Sequence, residues 1–448
     1  MNPILITQAR IINEGDQFTG HLLIEGDRIT RISRHSIPPQ VPAKTRIIHA
    51  RGKWLLPGVI DDQVHFRDPG LTHKGDLHSE SRAAVAGGIT SFMEMPNTLP
   101  QTTTKALLDE KFAIATQKSL ANFSFYLGAT NQNIAELQAI NPHQSCGIKV
   151  FMGASTGNML VDDPAILDQI FRIRKVPIAV HCEDEGTIRH NLQEYIREFG
   201  DDIPMEYHPV IRSAEACYRS SSVAVALARK YQTRLHLIHL STAKEIELLD
   251  PPGPVGRKKI TSEVCIHHLW FDQDDYAAKG SLIKWNPAIK SSADREALLH
   301  ALVTDRIDIV ATDHAPHTLA EKDQVYTKAP SGGPMVQHAL PAMLELCHQG
   351  VISVEKVVEK MCHNPAERFQ VKDRGYLREG YFADLVLLDP DDPWTVNPYN
   401  IYYKCGWSPM DGTTFRSRVT QTFVNGHLAY DNGIFDESEK GRAIVFNR

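Results

Sequence analysis

Leu56-Pro57-Gly58-Val59-Ile60-Asp61-Asp62-Gln63-Val64-His65-Phe66-Arg67-Asp68-Pro69-Gly70 begins with a turn and ends with one. Pro57-Gly58 feeds a short apolar run, and that run closes on a histidine followed at once by an arginine, an acid and the second turn. An α/β barrel places its chemistry at such a strand end. His65 has the side chain to ligate a metal, and Arg67, two residues on, has the side chain to grip a substrate anion. Taken alone, the stretch reads equally as a strand that ends in a surface histidine and arginine. The rest of the chain decides between the two.

The chain has 448 residues, which suits a barrel of about 250 residues with insertions plus something smaller. A hydrophobic content of 42% and a charged content of 23% fit a globular protein with a sizeable core. The net charge of -6 is modest and the basic residues are scattered, which excludes a nucleic-acid footprint. The cysteines (Cys146, Cys182, Cys217, Cys265, Cys347, Cys362, Cys405) are odd in number and contain no Cys-x-x-Cys pair. They read as buried thiols of a reducing compartment. The start, Met-Asn-Pro-Ile-Leu-Ile-Thr, lacks the pattern of a signal peptide, and no apolar run reaches the ~20 residues of a membrane span. A cytoplasmic protein acting on a small molecule is expected, with no nucleic-acid or membrane partner. Symmetric self-association is common among such proteins, and the number of subunits stays open.

Residues 1–55 are strand-like, with Ile4-Leu5-Ile6, Arg10-Ile11-Ile12, His21 to Ile24 and Ile29 to Ile32 separated by Glu14-Gly15-Asp16 and Glu25-Gly26-Asp27 turns. Residues 373–448 have the same texture, in Leu385 to Leu388, Val419 to Val424 and His427 to Tyr430, with Asn425-Gly426 as a tight turn. The two ends are expected to pair into one small β-sandwich-like domain, since neither is large enough to fold well alone. Residues 56–372 alternate strand and helix. The strands are Val59 to His65, Ser91 to Met95, Phe123 to Leu127, Gly147 to Phe151, Ile178 to His181, Leu235 to His239, Ile260 to Val264 and Ile309 to Asp313. Helical patterns fall at Ser79 to Ala86, Thr104 to Gln117, Ile134 to Ala139, Pro164 to Arg174, Ser213 to Lys230, Ala243 to Leu249 and Ala293 to Val303. Eight such repeats predict an α/β fold of the (β/α)8 TIM-type barrel kind.

His65, Lys149, His181, His239 and Asp313 lie within or at the ends of these strands. In a barrel those ends converge on one face, so distant residues meet in one pocket. Imidazole and carboxylate are the ligands of a catalytic zinc site with an open water position. Lys149 sits in the apolar run Cys146 to Gly153, where an unpaired ammonium is costly. A lysine kept neutral there can capture carbon dioxide as a carbamate that bridges two metal ions; the alternative is a lysine that snorkels from a strand end.

Leu56 to Gly70, Met95-Pro96-Asn97-Thr98, Lys149, Val180-His181-Cys182-Glu183, His236 to Ser241 and Ala311 to His317 together resemble the amidohydrolase superfamily and, within it, the dihydroorotase family. The resemblance continues through Trp285 to Lys290, His363-Asn364-Pro365-Ala366 and Glu379 to Val386, covering nearly the whole chain. It implies that His65, Lys149 as carboxylysine, His181, His239 and Asp313 hold one or two zinc ions. It implies that Arg67, Asn97 and His317 bind the substrate carboxylate, and that Asn286 and the backbone around Ser331 and Gly332 contact a pyrimidine ring. Asp313 would carry the proton in the reversible cyclisation of N-carbamoyl-L-aspartate to L-dihydroorotate. One position departs from the family, which carries His-x-His where this chain has Gln63-Val64-His65. An amide oxygen is a weaker zinc ligand than imidazole, so the departure puts a two-zinc stoichiometry in doubt. Three readings follow: a zinc dihydroorotase; another cyclic amidohydrolase, of allantoinase or dihydropyrimidinase type; and a catalytically silent homologue that binds partners. The loop Thr318 to Pro334 is read either as a closing lid or as an ordinary mobile loop.

Overall fold

The computed structural model describes residues 2–34, 40–153 and 159–448. Eight strands form one sheet in sequential order: β1 (Val59–Val64), β2 (Ile89–Glu94), β3 (Asn122–Gly128), β4 (Gly147–Phe151), β5 (Ile178–His181), β6 (Leu235–Leu237), β7 (Ile260–Cys265) and β8 (Ile309–Ala311). Each neighbouring pair is parallel. All eight are buried along their length, as strands covered by helices on one face and by each other on the other must be. The cylinder is nearly closed where Val64 bridges His314 in parallel and the His65 amide donates to the His314 carbonyl at 2.7 Å. A parallel (β/α)8 barrel is therefore the fold.

Helices on the outside start where a side chain can accept from their free amides. Asp76 caps Leu77–Ala86, Thr104 caps Lys105–Lys118, Ser213 caps Ala214–Tyr231 and Ser291 caps Ser292–Val303. One long helix was not expected from the sequence: Glu185–Phe199, capped by Asp184, follows β5. Only Ile188 of it is fully buried, so its sequence reads as a polar connection.

The chain ends meet in a nine-stranded sheet. Ile4–Asn13 pairs with Asp16–Glu25 and, in parallel, with Arg46–His49 and Trp54–Pro57; Trp54–Pro57 then pairs with Leu385–Asp389, which carries Arg418–Val424 and His427–Asp431 beyond it. The runs Ile4 to Ile6 and Arg10 to Ile12 are one strand, interrupted only by a register shift at Gln8, whose φ is 59°. The hairpins turn at Glu14-Gly15 (φ 54° and 76°) and Asn425-Gly426 (φ 51° and 78°), pairs of left-handed residues that match strand twist. The sheet wraps its own apolar core, which includes Ile6, Ile11, Leu22, Ile24, Leu55, Leu385, Leu387 and Phe423.

A buried polar network ties this sheet to the barrel. Arg374 pairs with Asp384 and donates to Asn425 Oδ1 at 2.8 Å, and Asn425 Nδ2 donates to Asn122 Oδ1 on β3 at 2.8 Å. Breaking a buried pair on one side strands the other charge. Arg374→Met should therefore lower unfolding stability by about 3 kcal/mol, read from chemical denaturation. An unchanged midpoint would show that the network carries no stability.

Candidate active site

The C-terminal strand ends surround a cavity of about 170 Å³. Its wall includes Gln63, His65, Arg67, Asn97, Lys149, His181, His239, Asn286, Asp313, His317, Ser331 and Gly332, so every side chain singled out from the sequence comes to one place. The strand direction does this: His65, His181, His239 and Asp313 each stand at or just past the end of β1, β5, β6 and β8.

Two facing pairs of ligand atoms result. His65 Nδ1 lies 2.7 Å from Asn97 Oδ1, an acceptor, so Nδ1 carries the hydrogen and Nε2 is bare. That bare nitrogen faces Asp313 Oδ1 at 3.1 Å. On the other side, His181 Nε2 donates to Glu183 Oε2 at 2.9 Å, which leaves Nδ1 bare against His239 Nε2 at 3.0 Å. Burial lowers the pKa of all three rings, so they are neutral. At His65 a lone pair faces a carboxylate oxygen, which calls for a cation between them, and the His181–His239 contact is completed either by the His239 ring hydrogen or by a cation. Glu183 is itself held by Arg212, an outer support that orients a ligating ring.

Lys149 fits the same demand. Its Nζ is buried, without a hydrogen-bond partner among the described residues, 4.3 Å from the Phe151 ring centre. Burial lowers its pKa to about 7, so much of it is neutral amine at physiological pH. The donor set of imidazoles, carboxylate and a reactive amine fits a zinc-class cation. Gln63 is turned differently from a ligand: its Nε2 donates to Asp313 Oδ1 at 3.1 Å, and its Oε1 accepts from the Cys265 thiol at 3.7 Å.

The opposite wall is cationic. Lys74 Nζ donates to His317 Nδ1 at 3.0 Å, so His317 Nε2 carries the ring hydrogen and donates to the Ser331 carbonyl at 3.1 Å, with Arg67 Nη2 3.1 Å from the same nitrogen. Lys74 was not apparent in the sequence, since nothing local connects it to a residue more than two hundred positions away. No carboxylate among the described residues lies within ion-pair distance of Arg67, and burial lowers its pKa to about 10. The loop after β8 is pinned: Lys322 is buried and donates to the carbonyls of Pro330 (2.9 Å) and Gly332 (2.8 Å). At Gly332, φ is 120° and a Cβ would sit 2.6 Å from the Ala315 carbonyl oxygen, so the backbone reaches the cavity only as glycine.

The amidohydrolase family pattern matches residues 54–429, and the chain belongs to that family. A dihydroorotase of Methanosarcina acetivorans is 31% identical over 426 residues, covering 92% of this chain and 89% of that protein. An allantoinase of Solibacter usitatus is 30% identical over 442 residues, covering 96% and 94%. The solved L-hydantoinase (dihydropyrimidinase) of Arthrobacter aurescens superposes with a TM-score of 0.92 at 26% identity, covering 99% of this chain and 100% of that one. The chain is an enzyme, a hydrolase of the cyclic-amide kind.

Glu183→Gln should weaken metal retention about 10–100-fold, measured by competition with a chelator. Equal retention would remove Glu183 from the support of His181. Because the Lys149 amine is depressed to about 7 and only the neutral amine takes up carbon dioxide, a ¹³C-bicarbonate carbamate signal should grow as pH rises through 7. The signal should be absent from Lys149→Ala.

Proposed function

We propose that this chain is a zinc-dependent dihydroorotase, which interconverts N-carbamoyl-L-aspartate and L-dihydroorotate in cytoplasmic pyrimidine biosynthesis. The observation that carries this reading is Arg67, a buried guanidinium in the cavity wall with no carboxylate beside it among the described residues. Such a group favours a ring bearing its own carboxylate over the neutral rings of hydantoin or dihydrouracil.

Arg67 and His317 would take the substrate carboxylate, with the Asn97 amide NH2 beside them. Asn286 Oδ1 has no partner among the described residues and faces the same cavity, suited to a ring N–H. Lys149 as carbamate, His181 and His239 would hold the metal, which supplies polarisation of the ring carbonyl and a water acidified toward about 7. Asp313 moves the proton. Gln63 and His65 both face its Oδ1, and no described residue bonds Oδ2, so one oxygen is anchored and the other is available. In hydrolysis Asp313 takes a proton from the attacking water and gives it to the departing ring nitrogen. In cyclisation it takes the proton from the attacking ureido nitrogen. Gln63 serves this carboxylate as a hydrogen-bond donor, and the firmer metal position is the one at Lys149, His181 and His239.

Purified protein assayed on dihydroorotate, dihydrouracil, hydantoin and allantoin should prefer dihydroorotate. Arg67→Met should raise KM for dihydroorotate about 10–100-fold, the worth of a charge-assisted hydrogen bond, with little change in metal content. Turnover of allantoin or dihydrouracil but not dihydroorotate would overturn the assignment in favour of an allantoinase or dihydropyrimidinase.

A further inference from the structure

Behind the His181–His239 wall, inside the barrel, Asp62 of β1, His236 of β6 and Glu263 of β7 meet with no exposed surface. One ligand atom from each lies within 4.8 Å of the other two. His236 Nε2 is 3.0 Å from Asp62 Oδ2 and 3.1 Å from Glu263 Oε2. Nothing in the proposed reaction uses this trio.

The hydrogens can be counted. His236 Nδ1 lies 2.8 Å from the Thr261 hydroxyl, whose other contact is the Leu235 carbonyl at 3.4 Å, so both ring tautomers have to be followed. With the ring hydrogen on Nδ1, Nε2 is a lone pair that faces two carboxylate oxygens. Moving the hydrogen to Nε2 would serve one carboxylate and leave the other bare. Asp62 is that other: its polar side-chain neighbours are the His236 ring and the Glu263 carboxyl alone among the described residues, and the side chain is wholly buried. Bare carboxylates without water are costly unless paired with positive charge. The Glu263 carboxylate has one further donor, the His239 backbone amide at 3.2 Å.

We infer that Asp62, His236 and Glu263 bind a divalent cation distinct from the one at the cavity. Two carboxylates balance a 2+ charge, and one imidazole with two carboxylates suits Zn²⁺ or Mn²⁺ better than Ca²⁺ or Mg²⁺, which take oxygen ligands. Ligands at about 2.0–2.1 Å around a tetrahedral ion stand about 3.3 Å apart, close to the separations at Nε2. With a cation at Nε2, Thr261 would be the outer partner that accepts from Nδ1 of the ligating histidine. The ion would clamp β1 to β6 and β7 across the barrel interior.

Because the trio has no surface, the cation must enter as the chain folds, so the test uses full-length protein expressed in zinc- or manganese-supplemented medium. Crystals measured on either side of the metal absorption edge should show an anomalous peak bonded to Asp62, His236 and Glu263, separate from any peak at His181 and His239. Asp62→Asn should lose one metal equivalent per chain and that peak alone. Absence of the peak from metal-loaded wild type would overturn the inference and leave a proton shared by Asp62 and Glu263 as the arrangement. The wild-type map decides even if Asp62→Asn does not fold, and a failed dihydroorotate assay would leave the peak unaffected.

Discussion

The seam where β8 meets β1 is the contact on which the site depends. Asp61 on β1 accepts from the Thr312 hydroxyl at 2.6 Å, from the Thr312 amide at 3.3 Å and from the Gln63 amide at 3.2 Å. Burial pushes this carboxyl up to about 8 in spite of those donors, a measure of how dry the seam is. The seam brings His65 to Asp313 across almost 250 residues of sequence. Without closure, the first strand would be an edge and its histidine would face solvent.

Buried charge falls into two kinds here, and the division marks structure from chemistry. Lys111 pairs with Glu94 at 3.1 Å and Lys284 donates to the carbonyls of Tyr326 and Ala329 at 2.6 and 2.7 Å. Lys322 is wrapped by carbonyls in the same way. These groups shape the wall and are satisfied by the protein. Among the described residues, Arg67, Lys149 and Asp62 are buried yet lack an ionic partner, apart from the imidazole nitrogen that Asp62 faces alongside Glu263. A fold that leaves such groups dry and unpaired is arranged for something outside the chain to complete them.

Strand positions were legible in the sequence because buried parallel strands are short apolar runs between turn signals, and all eight fall where those runs fall. The gathering of His65, Lys149, His181, His239 and Asp313 follows from that placement, since parallel strands end on one face. What stayed hidden acts across segments. Lys74 reaches His317 and Arg212 reaches Glu183 through space, with no spacing that announces either contact. Asp62 is hidden for another reason. It adjoins Gln63 in a stretch already assigned to the cavity, and only the register of β1 against β6 and β7 reveals that it meets His236 and Glu263 instead. The loop after β8 shows the same limit: its sequence fits a closing lid and an ordinary loop alike, and nothing in it announces that Lys322 turns inward onto the Pro330 and Gly332 carbonyls.

Backbone conformation adds a last constraint. Arg67, His239 and Asp313 all have positive φ, at 69°, 40° and 45°. For non-glycine residues this conformation is unfavourable by about 1–3 kcal/mol each and persists only where the surroundings enforce it. All three occur where a strand has just ended. A left-handed residue there breaks the alternation of the strand and turns the next segment away. The contacts that hold them are the Leu71 amide on the Arg67 carbonyl at 3.0 Å, the Glu263 carboxylate on the His239 amide, and Trp285 Nε1 on the Asp313 carbonyl at 3.4 Å. The strain at the mouth is thus held by the barrel interior, and Glu263 takes part in both the His239 turn and the buried trio beneath it. A change in the charge of that trio would reach the cavity through the backbone of His239.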